Sequence, residues 1–181
     1  MSDFEFKNIA PRCGSERDAF EELCCQLARR TLPDTAKFVR LDGSGVDGGV
    51  ECFADLPDGT QIGWQAKFVD SIDKLIVQTT KSLNTALDVH PNLQFYVVCF
   101  PFNLTGPTKR KGKRGSEKFA VWAQKHVEKA SQQGRTLTIE DWPESMLREL
   151  ILEHDTSAGF RFFSSTMRRY PPAGSNSIWT R

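Results

Sequence analysis

The stretch "GVDGGVECFADLPDGTQIGWQAKF", Gly45 to Phe68, decides the fold. Two β-like runs, residues 50–56 and 60–68, flank the turn signal Pro57-Asp58-Gly59. A three-residue loop pairs Leu56 with Thr60 and sets Glu51 opposite Gln65, with Lys67 one step further on the same face. Val50, Cys52, Ala54 and Leu56 then share a face with Ile62, Trp64, Ala66 and Phe68, and all eight are apolar. Glu51, Phe53, Asp55, Gln61, Gly63, Gln65 and Lys67 take the other face. A slip of one residue would mix the two sets, so the alternation fixes the register.

A carboxylate, an amide and an ammonium thus gather within side-chain reach. One reading is a solvated surface with a cross-strand Glu–Lys pair. Two features favour a site instead. Asp47-Gly48-Gly49 adds a carboxylate on a turn whose glycines allow close approach of backbone and ligand. The first helix, packed on this sheet, carries Glu21 on the flank of its apolar stripe, while Glu22 is expected to face water. Oxygen ligands beside one lysine suit magnesium and a phosphate oxygen, with the lysine offsetting charge during phosphodiester hydrolysis.

Outward from the hairpin, residues 15–32 read as a helix with Ser15 as N-cap, Asp18 in its first turn and Arg29-Arg30 near its end. Phe20, Leu23, Cys24 and Leu27 form its apolar stripe. Residues 37–42 give a short strand and residues 71–90 a second helix. "LQFYVVCF", 93–100, is apolar enough to be buried on both faces. A helix over 116–133 stops at Gly134, a strand follows over 135–142, and Pro143 opens a last short helix to 154. The order α-β-β-β-α-β-α-β-α implies one α/β domain, a central mixed sheet flanked by helices.

The 181 residues, 39% hydrophobic and 26% charged, can build a real core. No apolar run approaches the ~20 residues of a membrane span, and the N-terminus lacks a signal-peptide pattern. A soluble, cytoplasmic protein is expected. Cys13, Cys24, Cys25, Cys52 and Cys99 show no zinc spacing and read as reduced core residues. Net charge is +1, yet "TKRKGKRGSEK" concentrates Lys109, Arg110, Lys111, Lys113, Arg114 and Lys118, a candidate phosphate-contacting loop. Lys74, Gln78 and Lys81 recur at helical spacing, either as surface residues or as DNA-backbone contacts. His90, His126 and His154 read as structural or surface residues, Trp122 and Trp142 as core anchors, and no GxxxxGK[ST] loop is present.

The acidic residue in the first helix, "GVDGGVE" entering one strand and "QAK" in the next resemble the PD-(D/E)xK, or restriction-endonuclease-like, nuclease superfamily over residues 15–142. Gln65 in place of the acid of (D/E)xK is similar to its Mrr-type branch. "DGGVE…PDGTQIGWQAK", with "KSLNTAL" and "CFPFNLTG", is more similar still to nuclease effectors of bacterial antiviral STAND NTPases (AVAST) and to the DNA-degrading effector of CBASS-type defence.

The resemblance implies a magnesium-dependent endonuclease, with manganese as an alternative ion, acting on double-stranded DNA with little sequence preference. By position it makes Glu21 the helix carboxylate, Glu51 the principal metal ligand, Gln65 the occupant of the (D/E) position and Lys67 the catalytic lysine. Asp47 is an additional ligand candidate. Glu at 51 and Gln at 65 depart from the commonest pattern, and the neutral amide weakens the site's pull on a metal unless Asp47 compensates. It also implies self-association and a nuclease domain over 1–155. The aromatic-rich extension, 156–181, is expected to lead into a downstream NTPase or sensor region. A nuclease-like fold that only binds nucleic acid or oligomerises is the alternative, with RNA cleavage third.

Overall fold

The computed structural model describes residues 6–11, 14–41, 48–106 and 114–154. Helix α1 spans Glu16–Arg30, with the Ser15 hydroxyl accepting from the Asp18 N–H at 3.1 Å and acidic residues filling the positive first turn. Strands β1 (Lys37–Arg40), β2 (Cys52–Asp55) and β3 (Gln61–Ala66) follow, then α2 (Ile72–Val89) and β4 (Leu93–Cys99). Helix α3 (Gly115–Gln132), β5 (Thr138–Trp142) and α4 (Glu144–His154) complete the order. The α/β sequence of elements is the expected one.

The sheet order is β1-β2-β3-β4-β5, antiparallel through β3 and parallel from β3 to β5. The hairpin pairs Cys52 with Trp64, Phe53 with Gly63, Ala54 with Ile62 and Asp55 with Gln61, and the Leu56 N–H donates to Thr60 O at 2.8 Å. That is the register the alternation requires.

Helices α1 and α4 cover one face. Phe20, Leu23, Leu27, Leu147 and Leu150 pack there on Cys52, Ala54, Trp64 and Ala66. Helices α2 and α3 cover the other, with Leu75, Leu83, Phe119 and Trp122 against Tyr96, Val98 and Phe100. Cys24, Cys25, Cys52 and Cys99 are buried free thiols in the first layer. Burial pushes the Cys24 thiol well up, as does the hydrogen bond it shares with Cys99, and a hydrogen bond to Cys25 together with burial raises the Cys52 thiol.

One sequence expectation is corrected, and two features of the packing were not anticipated. Val50 does not share the face of Cys52: it packs in the α2–α3 layer. The Glu51 N–H bonds Trp64 O at 2.8 Å, one residue off the ladder, and this bulge turns Val50 to the opposite side. The face carrying Gln65 is no solvated surface, because α2 and α3 make it a second core. Phe6 and Ile9, at a one-turn 3₁₀ segment (Phe6–Asn8), are buried against α1, with the Phe6 ring edge-on to Phe20 at 5.8 Å. Two isolated apolar residues carry no periodic signal, so only packing reveals them.

Candidate active site

Glu51, Gln65 and Lys67 are 7%, 0% and 8% exposed. A solvated Glu–Lys pair would leave both ends in water. Instead three polar side chains have been taken out of solvent, which costs free energy unless each is matched. The strands impose this. Gln65 lies inside β3 between two paired neighbours, and Lys67 follows β3 directly, its N–H donating to Cys99 O at 2.9 Å.

Gln65 Nε2 donates to Glu51 Oε1 across the hairpin and to Ala66 O at 3.3 Å. An ionised carboxylate only accepts, so the amide must present its N–H groups to Glu51. The consequence is that Gln65 Oε1 is fully buried without a hydrogen-bond partner. An orphaned buried acceptor beside a carboxylate is a place for a cation.

The Gly48-Gly49 turn, with φ of 56° and 78°, brings the chain into β2. A Cβ on Gly49 would stand 2.1 Å from Ser82 O, so only glycine lets the turn lie on the α2 backbone. The Tyr96 hydroxyl donates to Gly49 O at 3.1 Å and pins it. Beside this contact opens a cleft of about 270 Å³, lined by Gly49, Lys67, Gln78, Lys81, Ser82 and Thr85. Two ammonium groups, two hydroxyls and an amide make it a cleft for an anion. Helix α2 therefore runs alongside the site; the sequence pattern of Gln78 and Lys81 left open whether they were ordinary surface residues.

Glu21 is held by Arg17, Nε to Oε1 2.6 Å. The Glu21 hydrogen bond and charge raise the Arg17 guanidinium above its ordinary value, and Glu51 adds to this at longer range. One cation thus lies in the field of both carboxylates. Arg17 escaped sequence reading because an i,i+4 pair looks like ordinary helix-surface dressing. Glu22 corrects an expectation: it is largely buried, pairing with Arg40 of β1 and accepting from Gln26 at 2.8 Å.

Asp47, Lys109, Arg110, Lys111 and Lys113 lie outside the described residues, as does the 156–181 extension. Arg114 forms the start of α3, its N–H donating to Glu117 at 3.3 Å. Lys118 is tied to Asp73 of α2 at 2.8 Å and Lys74 to Asp70 at 2.8 Å. His90 is buried on Phe53, where a Cβ on Gly48 would stand 3.0 Å from its Nε2, so it backs the Gly48-Gly49 turn; His126 is buried on Trp122. Among the described residues no group of three or more His, Cys, Asp or Glu side chains is placed to hold a metal ion. The described donor set is one carboxylate and one amide oxygen, with Glu21 nearby on Arg17. No helix among the described residues is long and apolar enough to cross a membrane.

Comparison with known proteins finds no matching family model and no matching curated sequence.

Proposed function

We propose that the protein is a magnesium-dependent endonuclease of double-stranded DNA, with Glu51, Gln65 and Lys67 at its centre. The observation that carries the reading is the buried Glu51–Gln65 pair whose Gln65 Oε1 has no partner, set beside a lysine-lined cleft. A buried acceptor left over and a carboxylate next to it fit a hard cation that takes oxygen ligands. Glu51 and Gln65 would hold it, with Glu21 and Asp47 as further candidates; manganese suits the same donors. Bound magnesium supplies Lewis-acid polarisation of the phosphate.

The chain's own groups do the rest. Lys67 and Lys81 hold the phosphodiester in the cleft, and Lys67 orients the attacking water and offsets charge growing on the phosphate oxygens. The water oxygen bonds to phosphorus as the bond to the leaving oxygen breaks. That oxygen takes up a proton, giving a phosphomonoester and a hydroxyl end.

Lys109, Arg110, Lys111, Lys113 and Arg114 would add sequence-independent phosphate contacts. The biological reading is a cytoplasmic antiphage effector that degrades DNA, self-associates and is driven by a downstream NTPase or sensor region. It rests on the likeness of "DGGVE…PDGTQIGWQAK", "KSLNTAL" and "CFPFNLTG". Supercoiled plasmid incubated with magnesium, and in parallel with EDTA, tests the activity. Nicking that needs the metal and disappears in Lys67→Ala supports it. Tight DNA binding with no nicking in magnesium would leave the non-cutting module in its place.

A further inference from the structure

A second and larger cleft, of about 730 Å³, opens on the α1 side of the sheet. Glu22, Gln26, Arg29 and Arg30 of α1 form one wall, and Phe38 and Arg40 of β1 the other. The α1 residues recur at helical spacing, and alternate residues of a strand share a face, so each wall is a single stripe. Strand β1 is the edge of the sheet and α1 packs mainly over β3, which leaves a trough between them.

Three guanidiniums line it against one carboxylate. Glu22 is engaged by Arg40 and Gln26. Arg30 donates to His154 O at 2.6 Å. Arg29 has no side-chain partner among the described residues. The Arg40 end of the trough is the one nearer Glu51, since Arg40 pairs with Cys52 and the Leu41 N–H donates to Glu51 O at 3.0 Å, while the Lys67–Lys81 cleft lies across the sheet on the α2 side. From Glu22 to Arg30 the helix rises about 12 Å at 1.5 Å per residue. One DNA strand carries a phosphate every ~3.4 Å of axis, so roughly three fit along it.

We propose that this trough is a track for the phosphate backbone of a nucleic-acid strand leaving the Glu51–Lys67 site. The inference rests on the nuclease reading and adds a route for the strand. Arginine is the suited residue, because its planar fork grips phosphate oxygens two at a time. Glu22 acts as a placeholder: a phosphate arriving at Arg40 displaces its carboxylate, and with no strand present the pair keeps both charges matched.

The test is fluorescence anisotropy of a short labelled DNA duplex in EDTA across a salt series, with thermal melting to establish folding. A folded Arg29→Ala/Arg30→Ala protein is expected to bind several-fold more weakly. Its slope of log K against log salt should be shallower by about 1.8, two duplex contacts at ~0.9 each. Arg29→Ala alone, which breaks no bond in the fold, should show about half of that. Glu22→Gln should tighten binding, the opposite of what a merely structural residue would do. An unchanged slope in the folded variants overturns the track. So does ATP that displaces duplex from the parent at micromolar concentration but not from the double variant, since the trough would then be a small-nucleotide site. Plasmid nicking in magnesium, run on the same proteins, separates the two readings. Nicking with an unchanged slope sinks the track alone, and a changed slope without nicking by the parent sinks the nuclease alone.

Discussion

Lys67 is where chemistry and burial meet. An exposed ion pair is worth about 0.2–1 kcal/mol, and removing one would change little else. Lys67 is buried and lines a cleft with Lys81, so Lys67→Ala should cut plasmid nicking by on the order of 10²–10³. Excess magnesium should not restore it. A folded Lys67→Ala protein that nicks at the parental rate would sink the mechanism. Gln65 gives a second, opposite-looking expectation. Gln65→Glu places two carboxylates in hydrogen-bond contact, so without metal the variant should melt lower than the parent. With magnesium the gap should close or reverse, because the added acid is a better ligand than the amide. Melting curves with and without magnesium read this directly, and a magnesium-independent gap would mean no cation binds there.

At the scale of elements, the contact of the Gly49 turn with α2 holds the site together. An added Cβ would meet the α2 backbone at 2.1 Å, at a φ of 78° that side chains rarely adopt. Gly49→Ala should therefore cost about 1–2 kcal/mol in backbone strain and ~1–3 kcal/mol in overpacking. Urea midpoints measure the sum. Because α2 must retreat, the same variant should also loosen the Lys67–Lys81 cleft and weaken DNA binding in EDTA. Gly59, also at positive φ, has open space around it, so Gly59→Ala should show the strain alone. Equal losses at the two glycines would mean that α2 does not press on the turn.

Over the whole molecule, protonation and salt provide two readouts. Burial holds the His90 imidazole below its ordinary value, with Asp55 pulling weakly the other way. Burial likewise lowers His126, helped by Lys129 and Lys125. Both bind protons less readily folded than unfolded, so the stability they confer is present above the ordinary histidine value of ~6.5. It is lost as pH falls through that value toward the folded ones. Denaturant midpoints should drop from neutral pH to pH ~5, and a His90→Gln/His126→Gln variant should drop less. A parallel decline in both proteins would assign the acid sensitivity to carboxylates. Neutralising Lys109, Arg110, Lys111, Lys113 and Arg114 should flatten the salt dependence of DNA binding, while the magnesium effect on melting survives.

The sequence by itself determined the hairpin register, the order of elements and the meeting of Glu51 with Gln65. These rest on short-range rules: a two-residue period, a three-residue loop and helix ends marked by Ser15 and Gly134. Such rules act between neighbours in the chain or across one turn. What lay beyond them was decided by packing. The bulge that turns Val50 over follows from one hydrogen bond of Glu51, and the burial of Phe6 and Ile9 from the face of α1 they meet. Glu22 reads as solvent-facing on a helical wheel, yet Arg40 on the edge strand draws it in. The second core under α2 and α3 is what converts a charged hairpin face into a desolvated site with an orphaned amide oxygen. Periodicity tells which residues share a face, but only the neighbours that arrive from elsewhere in the chain decide whether that face meets water.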